Sequence, residues 1–420
     1  MCISSVKTNL LTILFLFLAP LYHADASPHY SRAYKMSCSG CHDQGSRLNT
    51  LGYRFQETGR LDHWQEDSTL ETGDKRISLP DYLPLSIYAR LGFYYRQNRS
   101  LSDPASNSAS RQSSFDFQGP EVIRLLASAP LSRRTGFQLD LDIKPGEKNV
   151  EIGNAWVRSG HDSHFRFSIG RFDLAQMLIN PRTQLHARRP AIYTTSQIGF
   201  DHGLKLEIDI GFSTLVLGAA NGISEPLAIN SSGPGYTGVS YDYNSNKRFF
   251  GLFNLGITEQ YLGIFGSIQT DASATGTYAE ILDGPAEERI AAGIQGQKKL
   301  GQRIRLAVQL LGNQWENFLG DNSKYRWYGG FVNLELLSVK GYGWTLLYEY
   351  TNAGSFSNSG TIWEGLAQHT ITNTLSWQQM LNLRYRLDFI IDLQPELNSA
   401  PYTRHSDKQN GIFAGIEFSI

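Results

Sequence analysis

Residues 383–393 read Leu-Arg-Tyr-Arg-Leu-Asp-Phe-Ile-Ile-Asp-Leu. Leu383, Tyr385, Leu387, Phe389 and Ile391 fall on one face of an extended chain, and Arg384, Arg386, Asp388 and Asp392 on the other. A helix would scatter those charges around its circumference, whereas a strand segregates them, because successive side chains point to opposite sides. Phe137–Ile143 repeats the pattern, with Gln138, Asp140 and Asp142 on the polar face, and so does Leu204–Ile210, with Lys205, Glu207 and Asp209.

Working outward, segments of this kind separated by turn residues recur from about residue 84 to residue 420, and sixteen can be placed. An even number of amphipathic strands, 40 glycines and 12 % aromatic residues predict a transmembrane antiparallel β-barrel, closed so that no strand edge is left unpaired in lipid. Strands of that type never register as hydrophobic in a sliding window, which suits a mean hydropathy of -0.31. Short connections alternate with long ones near 98–114, 174–196, 222–246, 271–288, 353–368 and 395–409; the long ones are expected outside the cell. The connection at 145–149 is short although it falls on the outer side. The last segment, ending in Ile420, resembles the C-terminal strand that assembly machinery reads in outer-membrane proteins, which usually ends in an aromatic.

Residues 1–26 read as a secretory signal: Lys7 supplies charge, Leu10–Leu21 the apolar run, and Ala24-Asp25-Ala26 the cleavage site. Residues 27–80 form a small polar segment, and 81–420 the barrel. The expected location is the bacterial outer membrane, with lipid around the barrel. A formal net charge of -1 gives no electrostatic basis for nucleic-acid binding.

Cys2 leaves with the signal, so the mature chain keeps only Cys38 and Cys41. They sit in Cys38-Ser39-Gly40-Cys41-His42, the C-x-x-C-H pattern of c-type haem attachment. From the chain's own composition this pattern arises by chance roughly 0.0005 times, so coincidence is a poor explanation. No second pair of ligands follows at zinc spacing and no strand-helix context suggests a thioredoxin-like site. The cofactor is therefore one covalently bound haem c, with Cys38 and Cys41 as thioether attachments and His42 as an axial iron ligand. One haem moves one electron at a time. The sixth iron ligand is open among His29, Met36, His63 and Met177; beyond the haem no catalytic residue is indicated.

A segment of about 50 residues buries too little apolar surface to stand alone. It is expected to be mostly helical or irregular and to act as a plug within or against the barrel. The lumen-facing charges Asp140, Asp142, Glu207, Asp209, Asp388, Asp392, Lys205, Arg303, Arg305, Arg384 and Arg386 have two readings. They guide a cation or anchor haem propionates, or they form the hydrated, hydrogen-bonded wall of any barrel of this size. Asp271, Glu280, Asp283 and Glu287 on the long loops likewise either attract Fe(II) or are simply solvated.

Residues 27–42, followed by Leu48-Asn49, Gly52, Phe55 and Gly59, resemble the fused monohaem cytochrome-porin family, whose best-known members are outer-membrane iron oxidases of iron-oxidising bacteria. The resemblance covers residues 27 to 60; beyond that it extends to length and architecture. It implies that extracellular Fe(II) is oxidised and that single electrons pass through the haem to a periplasmic cytochrome or other carrier. The alternatives are a conduit for another donor or acceptor, and a porin whose haem-bearing plug is a sensor or structural element.

Overall fold

The computed structural model describes residues 42–44, 47–48, 51–52, 69–71, 78–80, 84–100, 110–132, 134–143, 150–160, 164–179, 190–196, 198–222, 247–257, 260–270, 288–301, 303–316, 323–338, 341–357, 367–380, 383–393 and 410–419. Two short ladders come first: β1 (His42–Gln44) with β2 (Arg47–Leu48), and β3 (Thr69–Glu71) with β4 (Ser78–Pro80). The barrel follows as β5 (Leu85–Ser100), β6 (Ser110–Ser132), β7 (Thr135–Ile143), β8 (Val150–Ser159), β9 (Phe165–Asp173), β10 (Phe200–Ile210), β11 (Ser213–Ala220) and β12 (Arg248–Ile257). It continues as β13 (Gln260–Gln269), β14 (Arg289–Leu300), β15 (Ile304–Glu316), β16 (Lys324–Leu337), β17 (Tyr342–Asn352), β18 (Gln368–Met380), β19 (Leu383–Asp392) and β20 (Asn410–Ser419).

Each barrel strand pairs antiparallel with its sequence neighbours, and β20 returns to β5, so the sixteen strands close. The expected count and closure are both found. Closure is the physical requirement, since an open edge would leave a row of backbone groups without partners in hydrocarbon.

The wall is inverted relative to a soluble protein. On β15 Leu310 is 51 % exposed while its neighbour Gln309 is fully buried. The outer face carries Ile169, Leu217, Leu262, Ile264, Ile294 and Leu375, all exposed, whereas Asp140, Arg166, Glu207, Asn333, Arg386 and Glu417 are buried inside. Apolar side chains outward and polar ones inward are stable only when the outside solvent is lipid. Aromatic rings mark both ends of this belt. Tyr342, Trp377 and Tyr385 stack at one end, with centroids 6.1 and 5.4 Å apart, and Tyr348 and Tyr350 meet His369 at the other.

Connections at 133–134, 160–164, 211–212, 258–259, 301–303, 338–341 and 381–382 all lie at one end, called here the turn end. The strand ends that the longer ones join lie at the other, called the loop end. β5 starts and β20 finishes at the turn end, so residues 27–80 join the barrel there. Ser128 of β6 donates its N–H to the Pro84 carbonyl at 3.2 Å, fixing the entry of the chain into β5.

Candidate functional site: the barrel lumen

Cross-strand register arranges the inner face of β12–β16 in rows. Nearest the loop end Arg248, Gln269, Arg289, Trp315 and Tyr325 stand side by side. Below them come Phe250, Ser267, Ala291, Asn313 and Trp327, then Leu252, Phe265, Gly293, Leu311 and Gly329, then Asn254, Gly263, Gln295, Gln309 and Phe331. Nearer the turn end the row changes character, to Lys299, Arg305 and Glu335. This wall therefore offers an apolar surface in its loop-end half.

The connection between β9 and β10 covers that surface. Expected as an outer loop, its described residues 174–179 and 190–196 instead lie inside the barrel. Asp173 accepts the Ala175 N–H at 3.0 Å and starts a 3-10 turn at Leu174–Gln176, whose Leu174 and Ala175 are fully buried. The Ile179 N–H donates to Gln295 Oε1 at 3.1 Å, and a short helix, α1 (Ala191–Thr195), begins with the Ala191 N–H donating to Glu349 Oε1 at 2.9 Å. The Tyr193 hydroxyl donates to the Ile179 carbonyl and lies 3.1 Å from Gln309 Oε1, while its ring meets Phe331 edge-on at 5.8 Å. Asn313 Nδ2 donates to Ser196 Oγ at 2.8 Å.

The physical reason for the inward course is composition. Leu174, Ala175, Leu178, Ile179, Ile192, Tyr193 and Ile198 gain by leaving water, at about 1.5–3 kcal/mol for each large side chain, and the wall beneath supplies both apolar contacts and polar anchors. The anchors at Gln295, Gln309 and Glu349 lie six residues below the loop-end row, roughly 20 Å from it along the tilted strands. Gly263 makes room for it: a Cβ there would stand 2.1 Å from Asn254 Oδ1 and crowd Gln295, the two groups joined by a 2.9 Å hydrogen bond over the glycine. A second inward turn follows β17. Gly354, at φ +58°, would bring a Cβ against the Arg326 carbonyl, and the turn puts Phe356 in a stack on Tyr325, centroids 4.5 Å apart.

The opposite wall is ionic. Glu417 holds Arg384 and Arg386, which also meets Asp388 at 3.1 Å. Arg90 pairs with Glu121, and Arg124 with Asp142 through hydrogen bonds of 2.5 and 2.6 Å. Glu207 gathers Arg158, Arg166 and, at 2.7 Å, Lys205, while Arg166 also grips Asp209. Asp140 accepts from Gln138 at 2.7 Å and from Asn154 at 2.7 Å. Of the two sequence readings of these charges, internal pairing is what the side chains display.

Of the haem-site residues, Cys38 and Cys41 lie outside the described residues, as do His29, Met36 and His63; so does the signal assigned to residues 1–26. His42 opens β1, its backbone opposite Leu48. Met177 sits on the inward-folded segment, half-buried and packed against its apolar cluster. Two cysteines and an adjacent histidine are the donor set a covalently held haem requires. Sequence reasoning missed the segment's inward course; its apolar residues, set against the Gly- and Ser-rich 222–246 connection, were the available signal.

No protein-family model matches the sequence, and no curated protein matches it. Solved structures do. Salmonella typhi OmpF in complex with daunomycin superposes with a TM-score of 0.54 at 11 % identity, covering 84 % of this chain and 100 % of that one. An anion-selective porin from Comamonas acidovorans gives 0.53 at 11 % identity over 80 % and 99 %, and the outer membrane channel DcaP of Acinetobacter baumannii gives 0.51 at 10 % over 80 % and 96 %. What this chain shares with them is the closed porin-like β-barrel.

Proposed function

We propose that the chain is an outer-membrane c-type cytochrome built on a porin-like barrel, which takes single electrons from Fe(II) outside the cell and delivers them to a periplasmic carrier. One observation carries the reading: Cys38-Ser39-Gly40-Cys41-His42 lies in the short segment that joins the turn end of a lipid-facing barrel. Cys38 and Cys41 would hold the haem through thioethers, and the His42 imidazole would ligate its iron from one side. The bound haem supplies a one-electron couple. The donor is read from the resemblance of residues 27–60, and chemistry favours oxidising iron outside, where precipitation of the oxidised product near neutral pH does no harm.

The barrel's contribution is insulation and placement. Its outer belt seats it in lipid, its turn end receives the haem-bearing segment, and the inward-folded segment occupies part of the loop-end half of the lumen. That last observation also favours a second reading, a porin with a haem-bearing plug. The two separate on one experiment: Fe(II) is added to the purified ferric protein and the haem bands are followed optically. Reduction by one electron per chain is expected. Absence of reduction at both neutral and acidic pH would leave the porin reading.

A further inference from the structure

On the outer face of β15–β18 the side chains change row by row from apolar to polar toward the loop end. Val308, Val332, Tyr348 and Ile371 form one row, followed by Leu310, Gly330, Tyr350 and His369. Above them come Gly312, Tyr328 and Asn352, then Gln314 with Arg326, and last Glu316 with Lys324. Acyl chains give way to headgroups in that order, and long loops belong to the outer side of such barrels. The patch from His369 to Arg326 therefore sits at the headgroup level of the outer leaflet.

Its polar groups are held in place by one another. The Tyr348 hydroxyl and His369 Nε2 are 3.0 Å apart, and the rings of Tyr348 and Tyr350 meet the imidazole edge-on at 5.4 and 5.9 Å. Whichever of the two holds the shared proton, the pair still offers one donor and one acceptor: Nδ1–H with the phenol oxygen, or the phenol O–H with Nδ1. Asn352 accepts the Gly354 N–H at 2.6 Å and donates to the Tyr350 hydroxyl at 3.2 Å, so the Tyr350 proton is left for another acceptor. Arg326 spends Nε on Gln314 Oε1 at 2.7 Å, and its Nη groups meet no acceptor among the described residues. Gly312 opposite Tyr328 and Gly330 opposite Tyr350 leave a flank of each ring uncovered, and Tyr328 is 56 % exposed.

Exposed rings, paired donors and acceptors and a guanidinium match a phosphorylated sugar. Its C–H faces pack on aromatic rings, its hydroxyls both donate and accept, and its phosphate suits the planar fork of an arginine. From Arg326 to His369 the patch spans three strands and roughly 15 Å, the scale of a disaccharide rather than of a single phosphodiester headgroup. We propose that it binds one saccharolipid of the outer leaflet, with sugar on Tyr328 and Tyr350, a phosphate on Arg326 and hydroxyls on the Tyr348–His369 pair. The proposal is independent of haem attachment and of the electron donor.

The test uses the full-length protein in detergent, titrated with a diphosphorylated glucosamine-disaccharide lipid and, separately, with phosphatidylglycerol. Native mass spectrometry counts the lipids bound per barrel. One disaccharide lipid per chain is expected to survive the collisional activation that strips phosphatidylglycerol. Affinity should fall roughly tenfold in Arg326→Gln, as loss of a charge-assisted hydrogen bond implies, and by less in Tyr350→Leu and His369→Leu, which keep the face apolar. Tyr342→Leu, in the aromatic stack at the turn end, should leave it unchanged. Equal retention of the two lipids would overturn the assigned headgroup, and an equal loss in Tyr342→Leu would overturn the assigned place. No retained disaccharide lipid would overturn the proposal, as would an unchanged affinity in an Arg326→Gln, Tyr350→Leu double variant that retains its β-sheet circular dichroism.

Discussion

The two walls of the lumen are written in the same alternating code and do different things with it. On β5–β10 and β18–β20 the inward residues include Arg, Asp and Glu that form ion pairs with one another, as in the Arg384–Glu417–Arg386–Asp388 cluster. On the loop-end half of β12–β16 they include Phe250, Leu252, Phe265, Leu311, Trp315, Trp327 and Phe331, and a chain segment lies on them. Alternation specifies a barrel; the chemistry of the inner face specifies whether that stretch of wall is self-sufficient or needs a cover.

The largest effect is expected from breaking the ionic wall. Glu417→Gln leaves Arg384 and Arg386, both buried, with one shared counter-charge fewer, a loss of about 3–5 kcal/mol in the stability of the whole barrel. Urea unfolding of the lipid-reconstituted protein measures it. Tyr193→Ala removes a comparable amount from the other wall, about 3–5 kcal/mol on the scale of large buried aromatics, but acts on the segment rather than the barrel. Hydrogen exchange should accelerate at residues 190–196 while β12–β17 stay protected. If both substitutions lowered barrel stability equally, the distinction between a wall and its cover would fail.

Gly263→Ala is expected to cost about 1–3 kcal/mol, because its Cβ meets Asn254 Oδ1 and Gln295, and Gln295 anchors Ile179. Its effect should appear as faster exchange at Ile179. The smallest change belongs to the rim, where Lys324 pairs with Glu316 in the open and is 56 % exposed. Lys324→Met should shift unfolding by less than about 1 kcal/mol.

Much of the barrel was legible because a strand's period of two survives in a bare sequence: 137–143, 204–210 and 383–393 show their two faces without any partner. The ion pairs were not, because they depend on register between distant residues. Arg166 reaches Asp209 only once β9 and β10 are aligned so that Arg166 faces Glu207. The inward course of residues 174–179 and 190–196 was hidden for a related reason: their apolar side chains show that they need burial, and only the assembled wall shows where. The Cys38-Ser39-Gly40-Cys41-His42 motif, on which the proposed haem attachment rests, is the converse case, a short local pattern that needs no tertiary context to be read.

The most direct test of the account is electron transfer across a sealed membrane. Proteoliposomes would enclose ferricyanide and a small fluorescent solute, with Fe(II) added outside. The account predicts that the enclosed ferricyanide is reduced while the fluorescent solute is retained, and that Cys38→Ala, Cys41→Ala protein supports neither reduction nor leakage. Escape of the solute with no haem-dependent reduction of ferricyanide would contradict it and make the barrel a pore.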